Sequence, residues 1–256
     1  MDFAGSFKSF LDKNLIQYVC TDGFSFSFKD KDIKIRLVPV ERFETVKRTD
    51  SETIFLFEDR WNRGGEVIRR RILSHLGVFR SVFARNCRVV KLDTPEANGF
   101  LEKYHAYGAA RSKYRYGLFN GDELVAVSSF SAGRPMPRED KVVDSYEWVR
   151  YASLPGVRVA GGMGKLLEAF CEDINPEEVM SYADLEWSDG SVYRTLGFSE
   201  AGFRDPVDFY VDLTAWDRVS AVKLHRDRAY MDKAVSDGFV KICNLGSIKF
   251  LKRFRI

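Results

Sequence analysis

The stretch Glu147-Trp-Val-Arg-Tyr-Ala-Ser-Leu-Pro-Gly-Val-Arg-Val-Ala-Gly-Gly-Met-Gly-Lys-Leu-Leu-Glu-Ala-Phe170 decides how the chain is read, because it passes from a strand through glycine into a helix. Trp148, Val149, Tyr151 and Ala152 suit a mostly buried strand, and Met163, Leu166, Leu167, Phe170 and Ile174 recur on one helical face. Gly161, Gly162 and Gly164 let backbone come close to a ligand, and a helix starting near Gly164 turns unpaired N–H groups and its positive dipole end toward that ligand. A pyrophosphate is the natural occupant. From spacing alone, glycines that only make a tight strand-to-helix connection fit equally well.

The next residues favour the ligand. Val179-Met-Ser-Tyr-Ala183 reads as a short strand ending at Asp184, and a polar loop leads to a helical turn, Ser191-Val-Tyr-Arg-Thr-Leu-Gly-Phe198. This order resembles the acyl-coenzyme A core of the GNAT acetyltransferases. The resemblance implies an α/β (α+β) fold, a mixed, mostly antiparallel sheet flanked by helices, and acetyl-CoA or another acyl-CoA as cofactor. It assigns the pyrophosphate to the turn, here Val159, Gly161, Gly162, Met163, Gly164 and Lys165, and gives Tyr193 the role of protonating the departing thiolate. The family signature Arg/Gln-x-x-Gly-x-Gly/Ala is departed from by one extra residue between Arg158 and the Gly162-x-Gly164 pair.

The chain has 256 residues, 45% of them hydrophobic and 30% charged, enough for one large domain or two small ones. No apolar run approaches the roughly 20 residues of a membrane helix. The start Met-Asp-Phe-Ala-Gly-Ser lacks the basic and apolar regions of a secretion signal, so the expectation is a cytoplasmic protein, in the host's cytoplasm if the chain is phage-encoded. Cys20, Cys87, Cys171 and Cys243 form no Cys-x-x-Cys pair and read as free thiols, with no metal site. Net charge is only +3, but basic residues crowd 60–91, 103–115 and the end from Lys249 to Arg255. Interleaved with Trp61, Phe79, Phe83, Tyr104, Tyr107, Tyr114 and Tyr116, they suit phosphates and stacked bases, or simply solvated helix faces.

Along the chain, the pattern predicts a helix from Phe7 to Leu15, strands at Gln17–Cys20, Phe24–Phe28 and Lys34–Val38 with a hairpin turn at Lys29–Asp32, and an apolar strand Thr53–Phe57. A helix from Glu66 to Leu76 directs Ile68, Ile72 and Leu76 inward and Arg69, Arg70 and Arg71 outward. Then come strand Arg88–Leu92, helix Pro95–Tyr104, and strands Tyr114–Phe119 and Glu123–Phe130 joined at Asn120-Gly121. Gly133–Arg138 reads as a loop, 203–204 and 208–213 as the last strands, 218–234 as a basic helix and 238–250 as a hairpin. The division this suggests is an N-terminal α+β segment, 1–86, an acyltransferase domain, 87–214, and a basic extension, 215–256, packing on the core.

Ile54-Phe-Leu-Phe-Glu-Asp-Arg-Trp61, the arginine-rich helix, Phe83-Ala-Arg-Asn-Cys87 and Phe100-Leu-Glu-Lys-Tyr-His-Ala-Tyr-Gly108 resemble the central and C-terminal parts of phage homing endonucleases with a Vsr-like nuclease fold. Asp30, Asp32 and Lys34 are the nearest imitation of that fold's acidic site, so the segment reads as a remnant or a DNA-facing platform. Lys103-Tyr-His-Ala-Tyr-Gly108, Ser181-Tyr-Ala-Asp184, Gly190 and Tyr193-Arg-Thr-Leu-Gly-Phe198 together resemble the phage Mom branch of GNAT-like enzymes, over roughly Cys87 to Leu213. That resemblance implies acylation of an exocyclic amine of a nucleobase, adenine foremost, which shields DNA from restriction. DNA is then a partner, contacted by Arg69, Arg70, Arg71, Arg111 and Lys113.

A conjugated amine needs its proton removed as it attacks a thioester, and Asp184, Glu147 and His105 are the candidate bases. His105 also suits a helix-terminal capping role. Ser181 suits an acyl or substrate hydrogen bond or plain packing, Tyr193 the proton donor or a half-buried core ring, and Glu147 with Arg150 a buried ion pair. An acetyltransferase for a small amine or protein, and a DNA-binding module without catalysis, are the readings of other classes. A DNA-binding module would have no use for Gly162, Gly164 and Tyr193, and their presence favours an enzyme.

Overall fold

The computed structural model describes residues 2–29, 31–40, 46–139 and 141–254. Its chain is interleaved: one compact unit combines 1–65, 183–191 and 203–248, the other 66–182, 192–202 and 249–256. The expected consecutive division at 86 and 214 is therefore not the one the contacts make. Strand pairing between distant segments, which no local pattern encodes, gathers each unit.

In the first unit, helix α1 (Phe3–Lys13) starts four residues earlier than its apolar spacing suggests, because Asp2 caps it by accepting the Gly5 N–H at 2.7 Å. It buries Phe3, Phe7 and Leu11. Strands β1 (Tyr18–Cys20), β2 (Ser25–Phe28), β3 (Lys31–Val38) and β4 (Thr53–Phe57) form one sheet in that order, antiparallel except for the parallel β3/β4 pair. Strand β3 already begins at Lys31, inside the turn expected at Lys29–Asp32, and Asp30 lies outside the described residues. All five residues of β4 are buried. Helix α2 (Glu58–His75) follows at once, eight residues before the expected start, and Gly65 breaks its helical geometry with φ 47° and ψ −129°.

The Glu58-Asp-Arg-Trp61 motif has structural employment here. Glu58 accepts the Val40 N–H at 3.0 Å, Trp61 donates to Ser6 Oγ at 3.1 Å, and Asp59 grips Arg218 with both oxygens, at 2.7 and 2.8 Å. Arg218 also reaches Glu186 at 2.7 Å, and its side chain and those of both partners are 4%, 1% and 1% exposed. Strand β14 (Asp208–Val211) pairs antiparallel with β15 (Arg218–Ser220) and β16 (Val240–Cys243).

The second unit carries the long sheet. Strands β6 (Arg88–Lys91), β7 (Tyr114–Asn120), β8 (Glu123–Phe130) and β10 (Val142–Ser153) are antiparallel in turn, with β9 (Arg134–Pro137) beside β10. Beyond β10 the order continues with β12 (Glu178–Asp184), β17 (Ser247–Arg253) and β13 (Ser199–Arg204). Gly121, at φ 62°, makes the two-residue turn between β7 and β8 that Asn120-Gly121 predicts. Helix α3 (Thr94–Tyr104) packs Ala97, Phe100 and Leu101 against Val127 and Ala152. Helix α4 (Gly162–Ile174) packs Phe170 on Phe130, with ring centroids 4.1 Å apart. Val127 and Phe130 are three apart on β8, so the two helices cover opposite faces of the sheet.

Four expectations need correction. Gly133–Arg138 is not a loop but holds β9, whose prolines are tolerated because it lies off the main path of the sheet. The predicted helix at 218–234 is β15, then α6 (Ala221–Arg226) and α7 (Arg228–Ser236), broken at Asp227, which caps α7 through the Tyr230 N–H. The predicted hairpin at 238–250 does not form, since β16 joins β14 while β17 joins β12 and β13. Glu147 and Arg150 are not an ion pair: Glu147 binds Arg134 at 3.1 Å, and Arg150 donates to the carbonyls of Gly108 and Val149.

Removing one member of a buried, fully hydrogen-bonded ion cluster leaves its partner's charge uncompensated. Asp59→Asn is therefore expected to destabilise the first unit by about 3–5 kcal/mol, read as a lower denaturation midpoint; an unchanged midpoint would show that the Arg218 cluster contributes nothing.

Candidate active site

The parallel pairing of β10 with β12 runs only from Ser145↔Glu178 to Glu147↔Met180, although β10 continues to Ser153 and β12 to Asp184. The two strands part at their carboxyl ends, the place where open sheets admit ligands. On its other side β10 slips register against β8 between Trp148 and Arg150, a bulge at Val149. Where the ladder fails a side chain bridges it: Ser181 Oγ lies 3.0 Å from the Trp148 carbonyl oxygen and 2.9 Å from the Tyr193 hydroxyl. Because a carbonyl only accepts, a Ser181 proton placed there leaves its oxygen to receive the phenol proton.

Tyr193 stands on the short helix α5 (Ser191–Thr195). Its ring stacks on Phe250 at 5.1 Å and meets Phe198 and Trp148 edge-on at 5.6 and 6.1 Å. Burial raises the pKa of the phenol, while the Ser181 hydrogen bond and the Arg71 charge pull it down. The hydroxyl is thus protonated at neutral pH, with the Arg71 cation at hand for the phenolate left after it gives its proton away.

Leu196, one turn beyond, packs on the first turn of α4: a Cβ built on Gly164 would meet Leu196 Cδ2 at 3.2 Å. Gly161, at φ 77°, is the left-handed residue before the helix and offers no side-chain cap, and the first turn holds no acidic residue. The first intrahelical bond is Lys165 N–H to Gly161 O, which leaves the amides of the preceding turn free to point at an anion. Gly162 is required for closeness rather than for a ligand, since a Cβ there would fall 2.8 Å from Tyr151 Oη and 2.9 Å from Val159 Cγ1.

The expected strand-to-glycine connection contains a strand missed by the sequence reading, β11 (Val157–Ala160), parallel to β5 (Arg80–Phe83). Val159 belongs to it and is buried. Lys165 does not face the turn's opening: its ammonium donates to the Ala84 and Cys87 carbonyls at 3.0 and 2.7 Å and ties down the segment after β5. Met163 and Gly164 lie half-buried on the first turn.

The candidate bases separate. Glu147 is the last paired residue before the strands part, half-buried, with Arg134 on one oxygen. Asp184 ends the strand that carries Ser181, three positions on and so on the opposite face, and its carboxylate accepts the Glu186 N–H at 2.9 Å. His105 caps the end of α3, and its Nδ1 accepts the Tyr107 N–H at 3.1 Å. Burial, then Arg150 and Arg71, lower its pKa to about 3.

Of the expected nucleic-acid contacts, Arg70 is paired with Glu66 at 2.6 Å, and Lys113 lies over the Tyr114 ring. Arg69 and Arg71 are half-buried rather than outward, and Arg111 is exposed. Elsewhere in the basic stretch, Arg80 pairs with Glu123 at 2.7 Å and Lys91 with Asp173 at 2.5 Å. Among the described residues no cluster of His, Cys, Asp or Glu is arranged to hold a metal, and no helix is long and apolar enough to cross a membrane.

No family model matches the chain, and no curated protein matches it. Among solved structures it is similar to an acetyltransferase of Bacillus subtilis in complex with CoA, at 15% identity and TM-score 0.38, over 66% of this chain and 99% of that one. It is similar also to the ribosomal-protein-S18-alanine N-acetyltransferase of Escherichia coli, at 14% identity and TM-score 0.41, over 66% and 95%. A GNAT family acetyltransferase of Elizabethkingia anophelis with acetyl-CoA bound gives 11% identity and TM-score 0.38, over 66% and 99%. Values this low assign neither family nor activity.

A histidine whose folded pKa lies below its unfolded value of about 6.5 adds stability that is complete above that value and is lost as pH falls toward the folded one. His105 is expected to stay neutral in a proton NMR titration down to about pH 4, given its folded pKa of about 3. A midpoint near 6.5 would show an exposed, uncoupled ring.

Proposed function

We propose that the protein is an acyl-CoA-dependent N-acyltransferase of the GNAT type. The observation that carries this reading is the Tyr193 hydroxyl, held at 2.9 Å by Ser181 where β10 and β12 part, on a helix that packs against the uncapped glycine turn of α4. The free amides of that turn would receive the coenzyme A pyrophosphate, with Gly161 allowing its close approach. When bound, the cofactor supplies an activated acyl group and a thiolate leaving group.

The acceptor amine attacks the thioester carbon, so that a C–N bond forms as the C–S bond breaks. Tyr193 would pass its proton to the departing sulfur, with the Arg71 charge stabilising the phenolate. Glu147, at the mouth of the parting, takes the amine proton directly or through one solvent molecule. His105 is set aside as base because its Nδ1 already accepts a backbone N–H, and Asp184 because it lies on the other face of β12 from Ser181.

The acceptor we infer is an exocyclic amine of a nucleobase in DNA, adenine first, with protection from restriction as the consequence. The support is electrostatic: beyond the larger effect of burial, Arg150 and then Arg71 lower the His105 pKa, and the guanidinium of Arg150 donates to backbone carbonyls, so these charges repel a cationic amine and suit an aromatic amine on an anionic backbone. Such a base has to leave its stack to reach the site. A small amine or protein acceptor is the second reading, favoured by the pairing of Arg70, Arg80 and Lys91 with carboxylates, which leaves a weaker phosphate-binding surface.

Tyr193→Phe keeps the ring against Phe250 and removes only the proton, so single-turnover acyl transfer is expected to fall about a hundred- to ten-thousand-fold with ligand affinity unchanged. Mass spectrometry of duplex DNA, polyamine and peptide acceptors incubated with acetyl-CoA reads it. A Phe variant as fast as the parent would remove Tyr193 from the chemistry, and acylation of polyamine or peptide but not DNA would overturn the nucleobase reading.

A further inference from the structure

On the face of the sheet covered by α3, a cavity of about 470 Å³ opens between that helix and the loop leading into β7. Its walls are polar: Thr94, Asn98 and Glu102 from the helix, Arg111 and Ser112 from the loop, Arg115 from β7. Three of these residues hold a buried polar atom without a hydrogen-bond partner, namely Asn98 Oδ1, Ser112 Oγ and Arg115 Nε. Buried polar atoms are nearly always satisfied, so three orphans on residues that line one cavity mark a place where a bound group would complete them once the side chains turn to it.

The donors set its chemistry. Arg115 is fixed by Nη2–H to the Ser112 carbonyl at 2.7 Å, which aims a preorganised Nε–H rather than a swinging side chain. Arg111 is exposed beside it, and among the described residues neither arginine has a carboxylate partner. Glu102, on the helix wall, is committed through Oε1 to the Ala109 N–H at 3.1 Å. Two arginines against one glutamate leave the cavity net positive, with Ser112 as a further donor and Asn98 Oδ1 and Glu102 as acceptors.

We propose that this cavity binds the anionic oxygen group, phosphate or carboxylate, of a small molecule that also presents hydrogen-bond donors toward Glu102 and Asn98. It is separate from the parting of β10 and β12 and does not rest on the acyltransferase reading. The anion seats on the exposed Arg111 and, with a small turn of their side chains that uncovers them, on Arg115 Nε–H and Ser112 O–H; a backbone phosphate of DNA reaching Arg111 is the other source of the same chemistry.

The test is a titration of the full chain with inorganic phosphate, followed on the Arg115 Nε–Hε resonance and by calorimetry. The resonance should shift saturably. Asn98→Asp, nearly isosteric but placing a carboxylate among the orphaned atoms, should weaken phosphate at least about tenfold, the worth of a charge-assisted hydrogen bond; Arg111→Ala should do the same should the aspartate variant fail to fold. Short duplex DNA moving the same resonance would assign the anion to a backbone phosphate and uphold the site. Phosphate that binds without moving Arg115 Nε, or with equal affinity in the variants, sits elsewhere and overturns the proposal, as does no binding of phosphate or DNA.

Discussion

Everything placed at the candidate site depends on β10 and β12 ceasing to pair after Glu147 and Met180. Two parallel strands that continued their ladder would close the sheet and leave no room between them. Here the ladder stops, Ser181 takes over at the Trp148 carbonyl, and the bulge at Val149 turns β10 away. The cost of lost backbone bonds is limited by one serine hydroxyl, and that same hydroxyl fixes Tyr193. Sheet irregularity, phenol position and ligand space are thus one feature.

The aromatic core explains why the parting stays open. Trp148 is buried, donates its indole N–H to Ser128 at 2.7 Å, and packs on Phe130, which stacks on Phe170 of α4. The strand before the parting and the helix beyond the glycine turn are held by the same rings. Tyr116 closes the other end, its hydroxyl bonded to Asp173 of the same helix at 2.7 Å. A rigid support of this kind sets the phenol against the helix N-terminus, which catalysis by positioning requires.

How much the sequence disclosed follows from how local each feature is. The face of α4 defined by Leu166, Leu167 and Phe170, the alternation of β2, and the Asn120-Gly121 turn are settled within a few residues, and the structure has them as read. Tyr193 and Ser181, named from the order of motifs, do meet. What escaped is long-range. Val157-Arg-Val-Ala160 alternates as a strand should, but without knowing that Arg80–Phe83 lies alongside, its four residues look like part of a turn. Nothing near Lys165 announces that its partners are the Ala84 and Cys87 carbonyls, and nothing near Arg218 that it pairs with Asp59 and Glu186. Segments 240–243 and 247–253 read as one hairpin because only the rest of the chain directs them to different sheets.

The central claim is that the turn before α4 and the parting of β10 and β12 together hold an acyl-CoA. Isothermal calorimetry of coenzyme A against the parent and against Gly161→Val tests it most directly, because the change blocks the turn at a residue whose Cβ meets nothing nearer than Ala84 Cβ at 3.7 Å, and an intact circular dichroism spectrum would confirm folding. The account predicts one molecule bound per chain by the parent and a loss of at least about tenfold in the variant, beyond the roughly 1 kcal/mol of strain at a left-handed position. No heat from the parent at millimolar coenzyme A, or equal affinity in a folded variant, would contradict it.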